Sequence, residues 1–162
     1  MRPTTARVRE ALFNILHSEF GDFGQMSFLD MFAGSGAIAL QACDEGFRFV
    51  CAVERDTLRS HQLKEKFLAK SLPGKVVKAD CLKLLSRGSY FLEQKFNLIF
   101  ADPPYEFSDL DCLLKIVEVL LAERGLFVLE THKKTVLKKA SANSLNLDSK
   151  RKYGDTVLSF WR

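Results

Sequence analysis

The segment Phe96-Asn97-Leu98-Ile99-Phe100-Ala101-Asp102-Pro103-Pro104-Tyr105 constrains the fold more than any other part of this chain. Its first half is a short apolar run, the pattern of a strand buried on both faces of a parallel sheet. The second half cannot continue that strand. Each proline lacks an N–H and holds φ at about −65°, so the backbone after Asp102 is fixed in an extended turn. In open α/β sheets the carboxyl ends of the strands are where ligands bind. Asp102 and the Pro103 carbonyl then offer two acceptors on a stiff frame, with the Tyr105 ring close by. An amino group on a planar base matches that set, its N–H donors toward the acceptors and its ring face against the phenol.

What precedes this segment alternates strands and helices. Pro3-Thr4-Thr5 is a helix-entry signal, and Val8, Leu12 and Leu16, supported by Ala11 and Ile15, form the buried stripe of a helix over residues 5–20. A first strand, Ser27–Phe32, runs into Ala33-Gly34-Ser35-Gly36 and a second helical run, Ala37–Cys43. Strand, glycine loop and helix in that order make a cofactor cradle. Glycines allow close backbone approach, and the helix N-terminus presents unpaired N–H groups. The next strand, Phe49–Val53, ends in Glu54, a carboxylate 18 positions after Gly36 that can accept both hydroxyls of a ribose.

Asp56 caps a third helix whose inward residues are expected to be Leu63, Phe67, Leu68 and Leu72, with Gly74 ending it. Lys75–Ala79 reads as a strand with Asp80 at its tip, placed to accept from an adenine amine or to cap a helix beginning at Cys81. After the Asp-Pro-Pro-Tyr strand come an apolar helix, Leu110 to Leu121, closed by Gly125, and a strand over Leu126–Thr131. Short runs at Leu145–Leu147 and Thr156–Trp161 bracket Lys150-Arg151-Lys152-Tyr153-Gly154 and read as a closing hairpin. The expectation is one α/β domain over residues 1–162, a doubly wound, mostly parallel sheet with an antiparallel C-terminal hairpin and the 5–20 helix packed on it.

Composition narrows the function. An apolar share of 47% and a charged share of 27% belong to an ordinary globular domain, and no run approaches the roughly 18 apolar residues of a membrane span. Cys43, Cys51, Cys81 and Cys112 form no C-x-x-C and lie near no histidine pair, so neither zinc nor a redox dithiol is expected, and a reducing cytoplasm is. The net charge of +4 is unevenly spread: residues 133–162 hold eight Lys/Arg against Asp148 and Asp155, and Arg2, Arg7 and Arg9 add to the other end. Basic ends around an acidic centre suit a polyanionic partner.

Three segments, in order, resemble the bacterial methyltransferases that modify a guanine N2 amine of small-subunit ribosomal RNA. They are Arg2-Pro3-Thr4-Thr5 through Val8-Arg9-Glu10, then Leu29-Asp30-Met31-Phe32-Ala33-Gly34-Ser35-Gly36, and Asp102-Pro103-Pro104-Tyr105. Lys152-Tyr153-Gly154-Asp155-Thr156 is similar to that family's last strands. The resemblance implies the Rossmann-like fold of class I methyltransferases. It also implies S-adenosylmethionine held by Asp30, Phe32, Gly34, Gly36, Glu54, Arg55, Asp80 and Cys81, with Glu54 on the ribose and Asp80 near the adenine. Asp102, Pro103 and Tyr105 are implied as the catalytic set around the target guanine, and Arg2, Thr5, Arg7, Arg9 and Pro104 as RNA contacts. Lys133–Lys139 and Lys150–Lys152 are further candidates for phosphate contact. The implied partner is ribosomal RNA, in the small subunit or its assembly intermediate, met by a monomer. Family members usually carry a basic strand-turn segment before Arg-Pro-Thr-Thr; with Met1 heading this sequence, either the start is shortened or the RNA-facing lip is reduced.

Two other functions compete. Gly34-x-Gly36-x-x-Ala39 plus Glu54 also satisfies the dinucleotide fingerprint of an NAD-dependent oxidoreductase. That reading leaves Asp102-Pro103-Pro104-Tyr105 and the basic ends without a use, and finds no His–Asp or Tyr–Lys pair. A DNA adenine-N6 methyltransferase would share the amine chemistry, yet little of the chain is left for a target-recognition region.

Overall fold

The sheet is organised around its first strand, which has a crossover leaving on each side. In the computed structural model, which describes residues 5–87, 93–104, 107, 109–135 and 144–162, β1 (Ser27–Asp30) pairs in parallel with both β2 (Phe49–Glu54) and β4 (Phe96–Ala101). From β1 the chain passes through α2 (Ala37–Asp44) to β2, then through α3 (Thr57–Ala69) to β3 (Gly74–Lys78) at one edge. A 3-10 helix (Cys81–Arg87) precedes β4 on the other side of β1. From β4 the chain runs through α4 (Leu110–Leu120) to β5 (Leu121–His132), and the hairpin β6 (Leu147–Tyr153) and β7 (Thr156–Trp161) closes the second edge. The strand order is β3-β2-β1-β4-β5-β7-β6, parallel up to β5 and antiparallel beyond it. The order reverses between β1 and β4, which opens a crevice beyond their carboxyl ends.

Alternation along the central strands fills a core on each face of the sheet. Phe28, Leu98 and Phe100 pack with α1 (Ala6–Phe20), α2 and α3, while Leu29, Ile99 and Ala101 pack with the 3-10 helix and α4. Asn97 ties the starts of two strands together: its Oδ1 accepts from Ser27 N at 2.9 Å, and Ser27 Oγ donates to the Lys95 carbonyl at 3.1 Å. Thr5 caps α1 as expected, its hydroxyl accepting from Val8 N at 3.3 Å. The stripe of Val8, Leu12 and Leu16 is buried, joined by Phe13.

Several expectations need correction. Leu68 is 75% exposed rather than inward, because α3 meets the sheet only along Ser60, Leu63 and Phe67, and Leu68 points about 100° away from Phe67 around the helix. Gly125 does not end α4. The helix stops at Leu120, where Leu121 turns extended (φ −73°, ψ 132°) to pair with Phe96. Gly125 instead serves the register shift that follows, since a Cβ there would stand 2.8 Å from the Ala122 carbonyl oxygen. Lys150-Arg151-Lys152 is not in the hairpin turn: all three lie on β6, at the sheet edge. Arg2, Pro3, Thr4, Tyr105 and Lys138-Lys139 lie outside the described residues.

The end of α1 is fastened to the end of α2 by an ion pair. His17 Nε2 meets Glu45 Oε2 at 2.6 Å, and Gln41 Nε2 donates to Glu45 Oε1 at 2.6 Å. The bond to Glu45 raises the His17 pKa, and the same bond lowers that of Glu45. The pair's contribution is therefore complete between the ordinary values of about 4.5 and 6.5, and is lost as pH rises through the raised histidine value or falls through the lowered carboxylate one. Titration of the His17 ring by NMR should give a pKa above the ordinary histidine value in the native chain. It should return to the ordinary range in Glu45→Gln; an unmoved titration would remove the pair from the account.

Candidate active site

The crevice at the β1/β4 switch point holds a cavity of about 340 Å³, a volume typical of small-molecule sites. Three walls meet there. The strand tips give Asp30, Phe32, Phe100 and Asp102; the loop and first turn of α2 give Ala33 to Ser35, Ala37 and Ile38; and α3 gives Arg59, Gln62, Leu63 and Lys66. Of the residues expected at the cofactor and target, Asp30, Phe32, Gly34 and Asp102 line this cavity. Gly36, Glu54, Arg55, Asp80, Cys81, Pro103 and Pro104 do not.

Gly36 shapes the cavity from behind. It is left-handed (φ 83°) and caps α2 without a side chain, and a Cβ there would fall 2.2 Å from Leu63 Cδ1. Only glycine allows the loop to turn this way against α3. Gly34 also has positive φ, at 54°.

Glu54 is buried at the tip of β2 and holds the loop in place. Its Oε2 accepts from Gly34 N at 2.7 Å and its Oε1 from Asp56 N at 2.7 Å. The sequence showed an acid at a strand tip but not that both oxygens would bind the chain's own backbone. Each carboxylate oxygen has a second lone pair, so the capacity to accept a hydroxyl remains. Asp80 has a similar local use: its Oδ1 accepts from Leu82 N at 3.1 Å at the start of the 3-10 helix. Next to it Cys81 is buried, and that burial pushes its thiol up to about 12, so it stays protonated and is no nucleophile. Among the described residues no group of His, Cys, Asp or Glu is placed to hold a metal ion.

Asp30 is the unusual group. It is 1% exposed, its Oδ1 accepts from Phe32 N at 3.3 Å, and its Oδ2 has no hydrogen-bond partner among the described residues. Burial pushes its pKa up to about 7. An orphaned, buried acceptor beside a glycine loop and a helix start suits S-adenosylmethionine, which brings N–H donors of its own. The raised pKa also makes a stability prediction. An acid whose native pKa lies above its ordinary value favours the fold at low pH and loses that contribution as pH rises from about 4 to about 7. Asp30→Asn should flatten that part of the stability-versus-pH curve measured by urea unfolding, and a curve of unchanged shape would count against a buried, neutral Asp30.

Asp102 is half-buried one residue beyond β4, Pro103 and Pro104 follow it half-buried, and the Pro104 carbonyl accepts from Phe107 N at 2.8 Å. Phe107 also meets Phe32 edge-on, with ring centroids 5.7 Å apart, which binds the loop after β4 to the loop after β1. Thr5, the cap of α1, and Arg7 are exposed, and Arg9 is half-buried in the first turn of the helix. The site residues missed in the sequence are Arg59, Gln62 and Lys66. Their only signal was spacing: positions 59, 62 and 66 fall three and four residues apart and so share one helix face.

The profile of the family described as Conserved hypothetical protein 95 matches residues 1–162. Ribosomal RNA small subunit methyltransferase D of Escherichia coli is 34% identical over 149 residues, which is 88% of this chain and 70% of that protein. The solved structure of a hypothetical protein of Thermus thermophilus superposes with a TM-score of 0.80 at 32% identity, covering 98% of this chain and 86% of that one. A 16S rRNA N2 G1207 methyltransferase of Thermus thermophilus, solved with AdoMet and guanosine, superposes at 0.72 and 21% identity over 97% of this chain and 43% of that one, a likeness of fold. The seven-stranded mixed sheet is thus the Rossmann-like fold of class I methyltransferases. With its whole length matched, this chain belongs to the Conserved hypothetical protein 95 family, to which ribosomal RNA small subunit methyltransferase D also belongs.

Proposed function

We propose that this chain is an S-adenosylmethionine-dependent ribosomal RNA methyltransferase that acts on the exocyclic N2 amine of a guanine in the small subunit. The observation that carries the reading is that Asp102 lines the same cavity as Gly34 and Ser35 of the glycine loop. A target amine held at the first would face a donor held at the second.

When bound, S-adenosylmethionine supplies an electrophilic methyl on a sulfonium. The difficulty left to the protein is the nucleophile, because an exocyclic amine's lone pair is delocalised into its base. Asp102 and the Pro103 carbonyl accept the amine hydrogens and turn the lone pair toward the glycine loop. The two prolines keep both acceptors from relaxing, so the alignment is in place before reaction. Asp102 holds the proton the amine sheds, or passes it to water. Asp30, Phe32, Gly34 and Gly36 form the cofactor side, with Glu54 and Asp80 toward the ribose and adenine, and Arg55 and Cys81 flank them. Tyr105 is assigned the stacking surface for an extruded base, worth about 1–3 kcal/mol. Arg2, Thr5, Arg7, Arg9 and Pro104 contact the RNA.

The chain works as one catalytic domain and as a monomer, in the cytoplasm, on the small subunit or its assembly intermediate. Among the described residues no helix is long and apolar enough to cross a membrane. The test is transfer of labelled methyl from S-adenosylmethionine to small subunits that lack the modification, followed by mapping of the modified base. Label on a guanine N2 is the expected result. Label on an adenine, or none on any ribosomal RNA, would replace this reading.

A further inference from the structure

We propose that the α3 wall of the cavity, formed by Arg59, Gln62 and Lys66, is a seat for the phosphodiester backbone of the RNA strand beside the target guanine. The inference rests on the methyl transfer proposed above and adds to it a set of positioning residues on a helix that otherwise serves the core.

Along α3 the residues Ser60, Leu63 and Phe67 are buried against the sheet. Arg59, Gln62 and Lys66 border that stripe on the side facing the cavity, and all three are exposed. Lys64 and Lys70 are exposed on the same helix or its cap, and neither lines the cavity. Lys66 Nζ reaches the Ser35 carbonyl only at 3.5 Å, and among the described residues neither Arg59 nor Lys66 stands in a salt bridge. Two cations on α3 therefore line a cleft whose strand-tip wall carries Asp30 and Asp102. That asymmetry suits a ligand with an amino-bearing base at one end and anionic groups at the other.

Spacing favours a strand over a single anion. Arg59 and Lys66 are seven residues apart, about 10 Å along a helix axis, with Gln62 between them as an uncharged donor. One carboxylate, such as an amino-acid tail, would engage one of the two. A nucleotide chain delivering its base to Asp102 carries phosphates on both sides of that base and can engage both. Arginine binds a phosphate through a two-pronged hydrogen-bond pair, and exposed positions suit a ligand that stays partly hydrated.

The experiment measures kcat/KM for methyl transfer to small subunits lacking the modification, as a function of KCl, for the native chain and for Arg59→Gln, Lys66→Gln, Arg59→Lys and Lys64→Gln. Affinity for S-adenosylmethionine is measured on each by calorimetry. Arg59→Gln and Lys66→Gln should each lower kcat/KM about tenfold through KM and reduce the salt slope by about 0.7–0.9, the loss of one phosphate contact. Arg59→Lys should recover most of the slope, and Lys64→Gln should match the native chain. Native-like slopes for Arg59→Gln and Lys66→Gln in an active enzyme would overturn the seat, as would an equal loss in Lys64→Gln. A weakened affinity for S-adenosylmethionine in Arg59→Gln with an unchanged salt slope would assign the wall to the cofactor instead. A native chain that methylates no ribosomal RNA would refute the underlying function and not merely the seat.

Discussion

Replacing Asp102 with alanine should lower methyl transfer about 100- to 1000-fold while S-adenosylmethionine binds as in the native chain. The side chain is half-buried beyond the end of β4, and the ladder that holds the strand ends at Ala101 paired with Leu129. Its loss therefore removes an acceptor from the cavity at a position beyond the last paired residue of the strand. Asp102→Asn separates two roles. If acceptor geometry dominates, asparagine keeps one oxygen but turns N–H groups toward the amine, and activity should fall between alanine and native. If proton acceptance dominates, asparagine and alanine should be equally slow. Single-turnover rates with labelled methyl, alongside calorimetry for the cofactor, distinguish these. Full turnover by Asp102→Ala would end the role assigned to this residue.

Glu54→Ala should damage both stability and cofactor affinity, because one carboxylate does two jobs. It holds Gly34 N and Asp56 N, at 2.7 Å each, and the first of these is a buried contact. Removing it leaves one buried N–H without a partner and releases another to water, a cost of about 2–4 kcal/mol. For a domain of this size that lowers Tm by roughly 5–15 °C. The loop carrying Gly34 would also lose the contact that sets its height above the sheet, so the dissociation constant for S-adenosylmethionine should rise well beyond what a lost ribose contact alone would cause. Glu54→Gln sharpens the test. One of its two ends is a donor and must face a backbone N–H, so it should recover only part of the lost stability. A Glu54→Ala protein with native Tm and native affinity would show that the loop is held elsewhere.

How far the sequence could be read depended on the kind of contact involved. Strands β1, β2 and β4 were legible because each is an apolar run ending in an acid, and that pattern is local. The α1 stripe was legible for the same reason. Leu68 was misplaced because hydrophobic spacing alone does not tell which side of a helix meets a sheet. The packing of Phe23 against Phe47, stacked with centroids 4.3 Å apart, and of Phe47 edge-on to Phe28 at 5.1 Å joins three separate segments and leaves no periodic trace. The end of α4 was missed because pairing with Phe96, more than twenty residues earlier, draws Leu121 out of the helix. In the site, the glycine loop and Asp102 announced themselves by residue type. The binding of Glu54 to the loop arises only when β2 pairs beside β1, and the approach of Arg59, Gln62 and Lys66 only when α3 brings Leu63 against Gly36.

The outermost strand has a further consequence. Successive side chains of β6 point to opposite faces of the sheet, yet Lys150, Arg151 and Lys152 are all exposed, so among the described residues no helix covers either face there. A strand edge with no partner among the described residues would ordinarily recruit another chain through its backbone groups. Three adjacent like charges oppose pairing with a second copy of themselves, and on the function proposed above the same charges would attract the phosphates of ribosomal RNA.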